Sequence, residues 1–242
     1  MITDGEFIEF LDYIKFLSNR DNNYEQIKID VEDFLDKNHF NNENCEYHYF
    51  KSELEEILFD SLISHEDNVV VLKEDYVAIL NIYSNALFEL GHYSKAKSVL
   101  KLARDINPFD IDVLINLVRI YDVELNYECI YLILMDALKI VYDIDDLLRI
   151  YRVLGQYFYQ IGEKKIGNLL LNLISYDSFK KFDINELKIL FAKYGIQLGF
   201  NEELLSAYQF YYGLVRKKGD FTREYIVYQD YWELCEFNEM FE

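Results

Sequence analysis

A chain of 242 residues with 51% apolar side chains carries enough hydrophobic material for an extended core, which excludes a disordered chain. Its formal charge of −20, from 44 Asp and Glu against 24 Lys and Arg, sets a long-range field against nucleic-acid phosphates and disfavours DNA or RNA as a partner. Three widely separated cysteines, Cys45, Cys129 and Cys235, suit reduced thiols better than a disulfide framework. The opening MITDGEFIEF places Asp4 and Glu6 where a secretory signal carries positive charge, and no apolar run approaches the ~18 residues needed to span a bilayer. The expectation is a soluble, cytoplasmic protein without a membrane partner.

Acidity is concentrated at the start: residues 1–70 hold 18 acidic and 5 basic side chains, a net of −13, against −7 for the rest. We therefore separate an acidic N-terminal helical region, 1–70, from a domain over 71–242. Within the first region, Phe7, Phe10, Leu11, Ile14 and Leu17 form a helical stripe behind the cap candidates Thr3 and Asp4, and Tyr24, Ile27, Val31 and Phe34 form a second. Residues 4–38 are thus expected to be an antiparallel helix pair. The spacing of Tyr47, Phe50, Leu54, Ile57, Leu58 and Leu62 predicts a longer helix from about Cys45 to Ile63. The segment Asn68–Leu72, NVVVL, is locally strand-like but isolated, and is read as a connector.

From Val77 a helical hairpin begins. Leu80, Tyr83 and Leu87 share a face until Gly91 stops the first helix, and Tyr93, Ala96, Leu100 and Ala103 share one until the only proline, Pro108. The pattern returns in Ile111–Ile144 as Leu114, Leu117, Tyr121, Tyr127, Ile130, Leu134 and Ala137, with Val118 where a small residue is usual. After three inserted residues a third copy starts at Leu148, with Tyr151, Leu154, Gly155, Phe158, Gly162, Gly167, Leu171 and Ile174 in register. Gly155 and Gly167 fall where helices approach closely. A degenerate fourth copy starts near Ile184, with Leu187, Leu190, Tyr194, Phe200 and Ala207. Beyond Gly219, Tyr225, Tyr228, Tyr231, Trp232 and Cys235 predict a final helix that covers the end of the stack.

With a repeat of roughly 34 residues and these residues in register, the chain resembles the tetratricopeptide repeat (TPR) family. The resemblance covers residues 77–217 and leaves 1–70 unexplained. It implies an all-α fold of antiparallel helix pairs stacked into a right-handed superhelical solenoid. The units are 77–110, 111–144, 148–181 and 184–217, followed by a capping helix over 221–238. It also implies a concave groove lined by the first helix of each pair: Ala78, Asn81, Asn85, Phe88 and Glu89, then Asp112, Ile115, Arg119, Asp122 and Val123, then Arg149, Arg152, Gln156, Tyr159 and Gln160. Three of the arginines and none of the lysines fall on those positions, and a planar guanidinium holds a carboxylate bidentately where lysine does not. Members that clamp a partner's C-terminal carboxylate use five positions, of which Asn85, Asn116 and Arg149 match three; Asn81 and Val153 do not match, and Arg152 lies beside the second gap. The groove candidates are Asn81, Asn85, Asn116, Arg119, Arg149, Arg152, Gln156 and Tyr159. The bland alternative is that these side chains face solvent or pair with Asp112, Asp122 and Glu89.

No glycine-rich phosphate loop, GxSxG elbow or HExxH pair is present, so no catalytic residue and no cofactor is assigned. His39, Cys45 and His48 with Glu43 and Glu46 lack a second ligand pair, and no metal is assigned. The runs Glu53, Glu55, Glu56 and Asp143, Asp145, Asp146 read as solvated helix faces and ends; of the two basic runs, Lys180–Lys181 and Arg216–Lys218, the second closes a predicted helix, where cations offset the negative helix end, and the total charge disfavours a nucleic-acid patch. The expected function is a non-enzymatic scaffold that binds a protein or peptide segment in the groove, one that is acidic or ends in a free carboxylate. The alternative is the peptide-sensing module of a bacterial regulatory system without its own DNA-binding domain, since −13 over residues 1–70 disfavours a helix-turn-helix there. An enzyme built on the repeats ranks third. Residues 1–66 either cap the first repeat or fold back over the groove and limit access to it.

Overall fold

A computed structural model describes residues 3–19, 23–38, 46–62, 69–173 and 184–196. Its contacts divide the chain into two compact units, Met1–Leu125 and Asn126–Glu242. The step in charge at residue 70 and this packing boundary are different features. Among the described residues the structure is helical apart from one short parallel β-ribbon.

The N-terminal unit opens with α1 (Asp4–Ser18) and α2 (Tyr24–Lys37). Thr3 and Glu6 start α1 with a reciprocal capping box: Glu6 N donates to Thr3 Oγ1 at 3.4 Å, and Thr3 N donates to Glu6 Oε2 at 2.9 Å. Phe7, Leu11 and Ile14 of α1 and Ile27, Val31 and Phe34 of α2 are buried, and both helices pack against α4 (Tyr76–Glu89). Phe7 meets Tyr76 at 4.9 Å between ring centroids, and Phe10 stacks on Phe34 at 4.2 Å. A lock closes the outer side, where Tyr83 Oη and Lys95 Nζ both donate to Glu32 Oε1, at 2.7 and 2.6 Å.

Between α2 and α4 the chain makes an excursion that the spacing of its apolar residues did not disclose. The helix expected from Cys45 to Ile63 is instead a strand, β1 (Glu46–His48), followed by α3 (Glu53–Leu62). Nor is NVVVL isolated: β2 (Val69–Val71) pairs in parallel with β1 in the register Glu46↔Val69, Tyr47↔Val70 and His48↔Val71. Parallel strands need a crossover, and α3 supplies it. The periodic residues Tyr47 and Phe50 thus belong to a strand and its exit, and their match to a helical period was accidental. The excursion is pinned to the end of α5 (Tyr93–Ile106), where Tyr49 N donates to Ile106 O at 3.0 Å. Glu55, expected on a solvated face, is fully buried, and accepts Lys51 N at 2.7 Å and Asn107 Nδ2 at 3.0 Å. A buried carboxylate with donors aimed at it satisfies backbone and amide groups that water cannot reach.

The hairpin of α4 and α5 and the following α6 (Ile111–Val123) form as the repeat pattern predicts. Asp75 and Asp110 cap α4 and α6, accepting Ala78 N at 2.9 Å and Val113 N at 3.0 Å. Gly91 ends the first helix at φ 78°, which lets His92 N reach Leu87 O at 2.8 Å. The equivalent turn after α6 has Leu125 at φ 53°, a left-handed conformation that costs a leucine free energy. α4 packs on α5 and α6, and α5 on α6.

The C-terminal unit holds α7 (Tyr127–Ile140), α8 (Ile144–Gln160), α9 (Lys164–Leu173) and α10 (Ile184–Lys193). The third copy was placed at Leu148; its first helix starts at Ile144, because Asp143 caps it by accepting Asp145 N and Asp146 N, and so it absorbs the inserted residues. α8 and α9 meet at Gly155 and Gly167: a Cβ on Gly167 would stand 2.9 Å from Gly155 O and 3.0 Å from Tyr159 N. Tyr151 is fully buried against Phe191 of α10, and burial raises its phenol well above the ordinary range. The expected positions Ile174, Phe200 and Ala207, the cap at Asn201, the stop at Gly219, both basic runs and the helix over 221–238 lie outside the described residues.

Candidate functional site

In the N-terminal unit, an open cavity of about 430 Å³ is bordered by the last turn of α1, by α4 and by the start of α6. α1 contributes Lys15 and Ser18, and its C-cap Asn19 follows them; α4 contributes Ala78, Asn81, Ile82 and Asn85; α6 contributes Asp112 and Asn116. The two capping aspartates and Lys51 complete the rim. Sequence spacing puts Ala78, Asn81 and Asn85 on one face because they recur every three or four residues along one helix. What brings Asn116 to them is the packing of α6 on α4.

The polar side chains there are joined to one another. Arg119 Nη1 donates to Asn85 Oδ1 at 3.0 Å and to Asn116 Oδ1 at 3.3 Å, and its Nη2 reaches Glu89 Oε1 at 3.4 Å. Asn116 Nδ2 donates to Asn81 Oδ1 at 3.3 Å. The guanidinium also lies over the Phe88 ring, 4.6 Å from its centroid. Four of the eight groove candidates, Asn81, Asn85, Asn116 and Arg119, therefore form one network.

The charges around the cavity differ in how they are engaged. Burial raises the Asp75 carboxyl above its usual range, offset in part by the cap hydrogen bond from Ala78 and the fields of Lys51 and Lys15. Asp110 holds Lys51 Nζ at 3.0 Å. Burial pulls the Lys51 ammonium down, but Asp110, with the fields of Glu55 and Asp112, outweighs it and holds the ammonium above its usual value. Lys15, in the last turn of α1, makes no ion pair within 4 Å among the described residues. None of Lys15, Lys51, Asp75 and Asp110 was a groove candidate from sequence. The cap positions of Asp75 and Asp110 were readable as helix starts, whereas Lys15 and Lys51 precede the recognisable repeats and enter the site only through tertiary packing.

The other four candidates lie on α8 in the C-terminal unit. Arg149 pairs with Asp146 one turn earlier on its own helix at 2.7 Å. Arg152 and Gln156 are exposed, and Tyr159 is half exposed with Lys164 Nζ 5.7 Å from its ring centroid. Arg149, Arg152, Gln156 and Tyr159 recur at intervals of three or four and share a side of the helix.

His48, expected at a helix start, is on β1, buried, with Nδ1 3.3 Å from Ile106 O and its ring 4.3 Å from that of Phe59. His39, Cys45 and Glu43 lie outside the described residues, and among those described no group of three His, Cys, Asp or Glu could hold a metal ion. No described helix is long and apolar enough to cross a membrane. No family model matches this chain, and neither a curated protein nor a solved structure matches it.

Proposed function

We propose that the protein is a non-enzymatic scaffold of the tetratricopeptide-like kind, a right-handed stack of helix pairs that binds an extended segment of a partner protein in the groove beside α1, α4 and α6. The observation that carries this reading is the cavity of about 430 Å³ floored by Asn81, Asn85 and Asn116. Amide side chains match the donor and acceptor pattern of a peptide main chain, and those of Asn116 and Asn85 are held in place by Arg119 before any ligand arrives, which lowers the ordering cost of binding. α1 supplies one wall of the groove, which supports a binding role for the N-terminal pair beyond that of a cap.

Selection from a display library of random octapeptides on the full chain tests the proposal. The expected result is enrichment of a defined set on the parent protein. That enrichment should be lost in Ala78→Trp, which fills the groove from the first turn of α4. Undiminished enrichment on Ala78→Trp would place binding elsewhere, and no enrichment on the parent would refute a peptide scaffold.

A further inference from the structure

We infer that the seam between α1 and α2 is a second docking surface, separate from the groove, and that its occupant is an arginine-bearing segment of a partner protein. Phe7 and Phe10 meet Phe34, while Tyr13, further along α1, meets Asp30, earlier on α2, so the two helices run antiparallel. Along their seam lies an open cavity of about 510 Å³, bordered by Glu6, Phe10 and Tyr13 of α1 and by Asp30, Asp33 and Phe34 of α2. Lys15 and Ser18 border the groove, so two flanks of one helix serve two cavities.

The charges that remain without a counter-ion decide the sign of the ligand. α1 and α2 carry nine acidic side chains and three basic ones. At the seam Lys37, the one cation on its border, pairs with Asp33 on its own helix. Glu6 and Asp30 are held by neutral donors: Glu6 Oε2 accepts Thr3 N at 2.9 Å and Thr3 Oγ1 at 2.8 Å, and Asp30 accepts Tyr13 Oη at 3.0 Å and Gln26 Nε2 at 2.8 Å. Such bonds orient a carboxylate without neutralising it. Those from Thr3 hold the Glu6 carboxyl below its usual range, which keeps it ionised. The groove differs, since Lys15 and Lys51 there stand among Asp75, Asp110 and Asp112, and its charges are mixed. The seam, in the most acidic part of the chain, attracts a cation.

The rings select among cations. Phe10 stacks on the buried Phe34 with planes 2° apart, and Tyr13 follows at 6.5 Å between centroids; Phe10 is half-buried and Tyr13 exposed, which leaves ring surface at the cavity. A guanidinium lies flat on such a ring while its N–H edge meets a carboxylate, whereas an ammonium is a compact, strongly hydrated charge. The same arrangement exists inside this molecule, where Arg119 lies over Phe88 with Glu89 Oε1 at 3.4 Å. Glu6 is seven residues from Tyr13, the partner of Asp30, so the two carboxylates are about 10 Å apart along α1. An open seam of that length does not enclose a small free cation as a ligand pocket does. Two arginines on one edge of an extended segment, about 6.8 Å apart at the main chain, reach both carboxylates with their flexible stems.

Titration calorimetry on the full chain tests this with three probes: an acetylated, amidated hexapeptide of alternating Ala and Arg, its Ala and Lys counterpart, and spermidine. The arginine peptide should bind the parent several-fold more tightly than the lysine peptide, and spermidine should not displace it. Glu6→Gln keeps an acceptor for Thr3 and Asp30→Asn keeps one for Tyr13, so the helix pair survives both. Each should weaken the arginine peptide by about tenfold. Asp12→Asn removes the same charge from α1 outside the cavity and should leave binding near the parent value, as should Ala78→Trp in the groove. No binding by the parent, or equal losses in Glu6→Gln, Asp30→Asn and Asp12→Asn, would overturn the seam as a site. Equal affinity for the two peptides, or displacement by spermidine, would overturn the arginine segment in favour of a plain cation. Loss of binding in Ala78→Trp would move the basic peptide to the groove, and self-association of the parent that Glu6→Gln abolishes would make the occupant a second copy.

Discussion

The C-terminal unit seats α8 against α9 through bare backbone, whereas the N-terminal unit adds to its apolar core a set of hydrogen bonds between side chains distant in sequence. At Gly155 and Gly167 the neighbours of a missing Cβ include carbonyl oxygens and a backbone nitrogen, none of which can rotate away. In the N-terminal unit the ties are Glu55 to Asn107, Glu32 to Tyr83 and Lys95, and Arg119 to Asn85 and Asn116. Steric contact of the first kind tolerates no change of volume. Polar contact of the second kind responds to charge, to pH and, in the groove, to a ligand.

The largest expected effect tests the first half of that contrast. Gly167→Leu should force α8 and α9 apart at a cost of about 3 kcal/mol, read from chemical denaturation, with Gly155→Leu close behind. A variant that unfolds with the parent would show that the seam is looser than its backbone distances indicate. Next comes the buried carboxylate: Glu55→Ala leaves Lys51 N and Asn107 Nδ2 without the acceptor they share and should cost about 2 kcal/mol. An unchanged midpoint would mean that the excursion through β1, α3 and β2 does not help to hold the N-terminal unit together.

Those two sites also show how much the sequence disclosed. Gly155 and Gly167 were legible as close-packing positions because each stands where a repeating helix face demands a small residue, a constraint local in the chain. Glu55 was not, since nothing in Glu53–Glu56 separates a buried carboxylate from its solvated neighbours, and its partner Asn107 lies 52 residues away. The β-ribbon was missed for the same reason: Val69–Val71 reads as a strand by itself, but a strand is stable only when paired, and its partner sits across α3. In the groove, spacing alone placed Asn81 and Asn85 on one face, while the orientation of their amides depends on Arg119, on a different helix. Leu125 had a visible signal, since it stands where Gly91 and Gly162 end the equivalent helices.

That position gives a smaller effect of opposite sign. Leu125 is 69% exposed and left-handed at φ 53°, so Leu125→Gly removes the backbone cost while surrendering little burial. It should stabilise the protein by about 0.5 to 1 kcal/mol. A loss of stability would show that the leucine makes contacts that outweigh its strain.

The smallest effect concerns the outer lock. Hydrogen bonds from Lys95 and Tyr83 hold the Glu32 carboxyl below its usual range, and burial pushes the Tyr83 phenol up to about 12. Because the folded pKa of Glu32 lies below its unfolded value, its contribution is complete above the unfolded value and is lost as pH falls through the folded one. Lys95, whose ammonium is held above its usual value chiefly by Glu32, contributes fully below its unfolded pKa and loses that contribution as pH rises through the folded one. Glu32→Gln should therefore flatten the acid limb of the stability profile, by less than about 1 kcal/mol because the pair is partly exposed. An acid limb as steep as the parent's would assign it to other carboxylates.

Nitrogen-15 NMR of the side-chain amides in the full chain, followed as an enriched octapeptide is added, tests whether the groove beside α4 receives the ligand. The Asn81 and Asn85 amide signals should move with the bound fraction while that of Gln156 on α8 stays in place. Stationary Asn81 and Asn85 signals at saturating peptide, with movement at Gln156 instead, would contradict it.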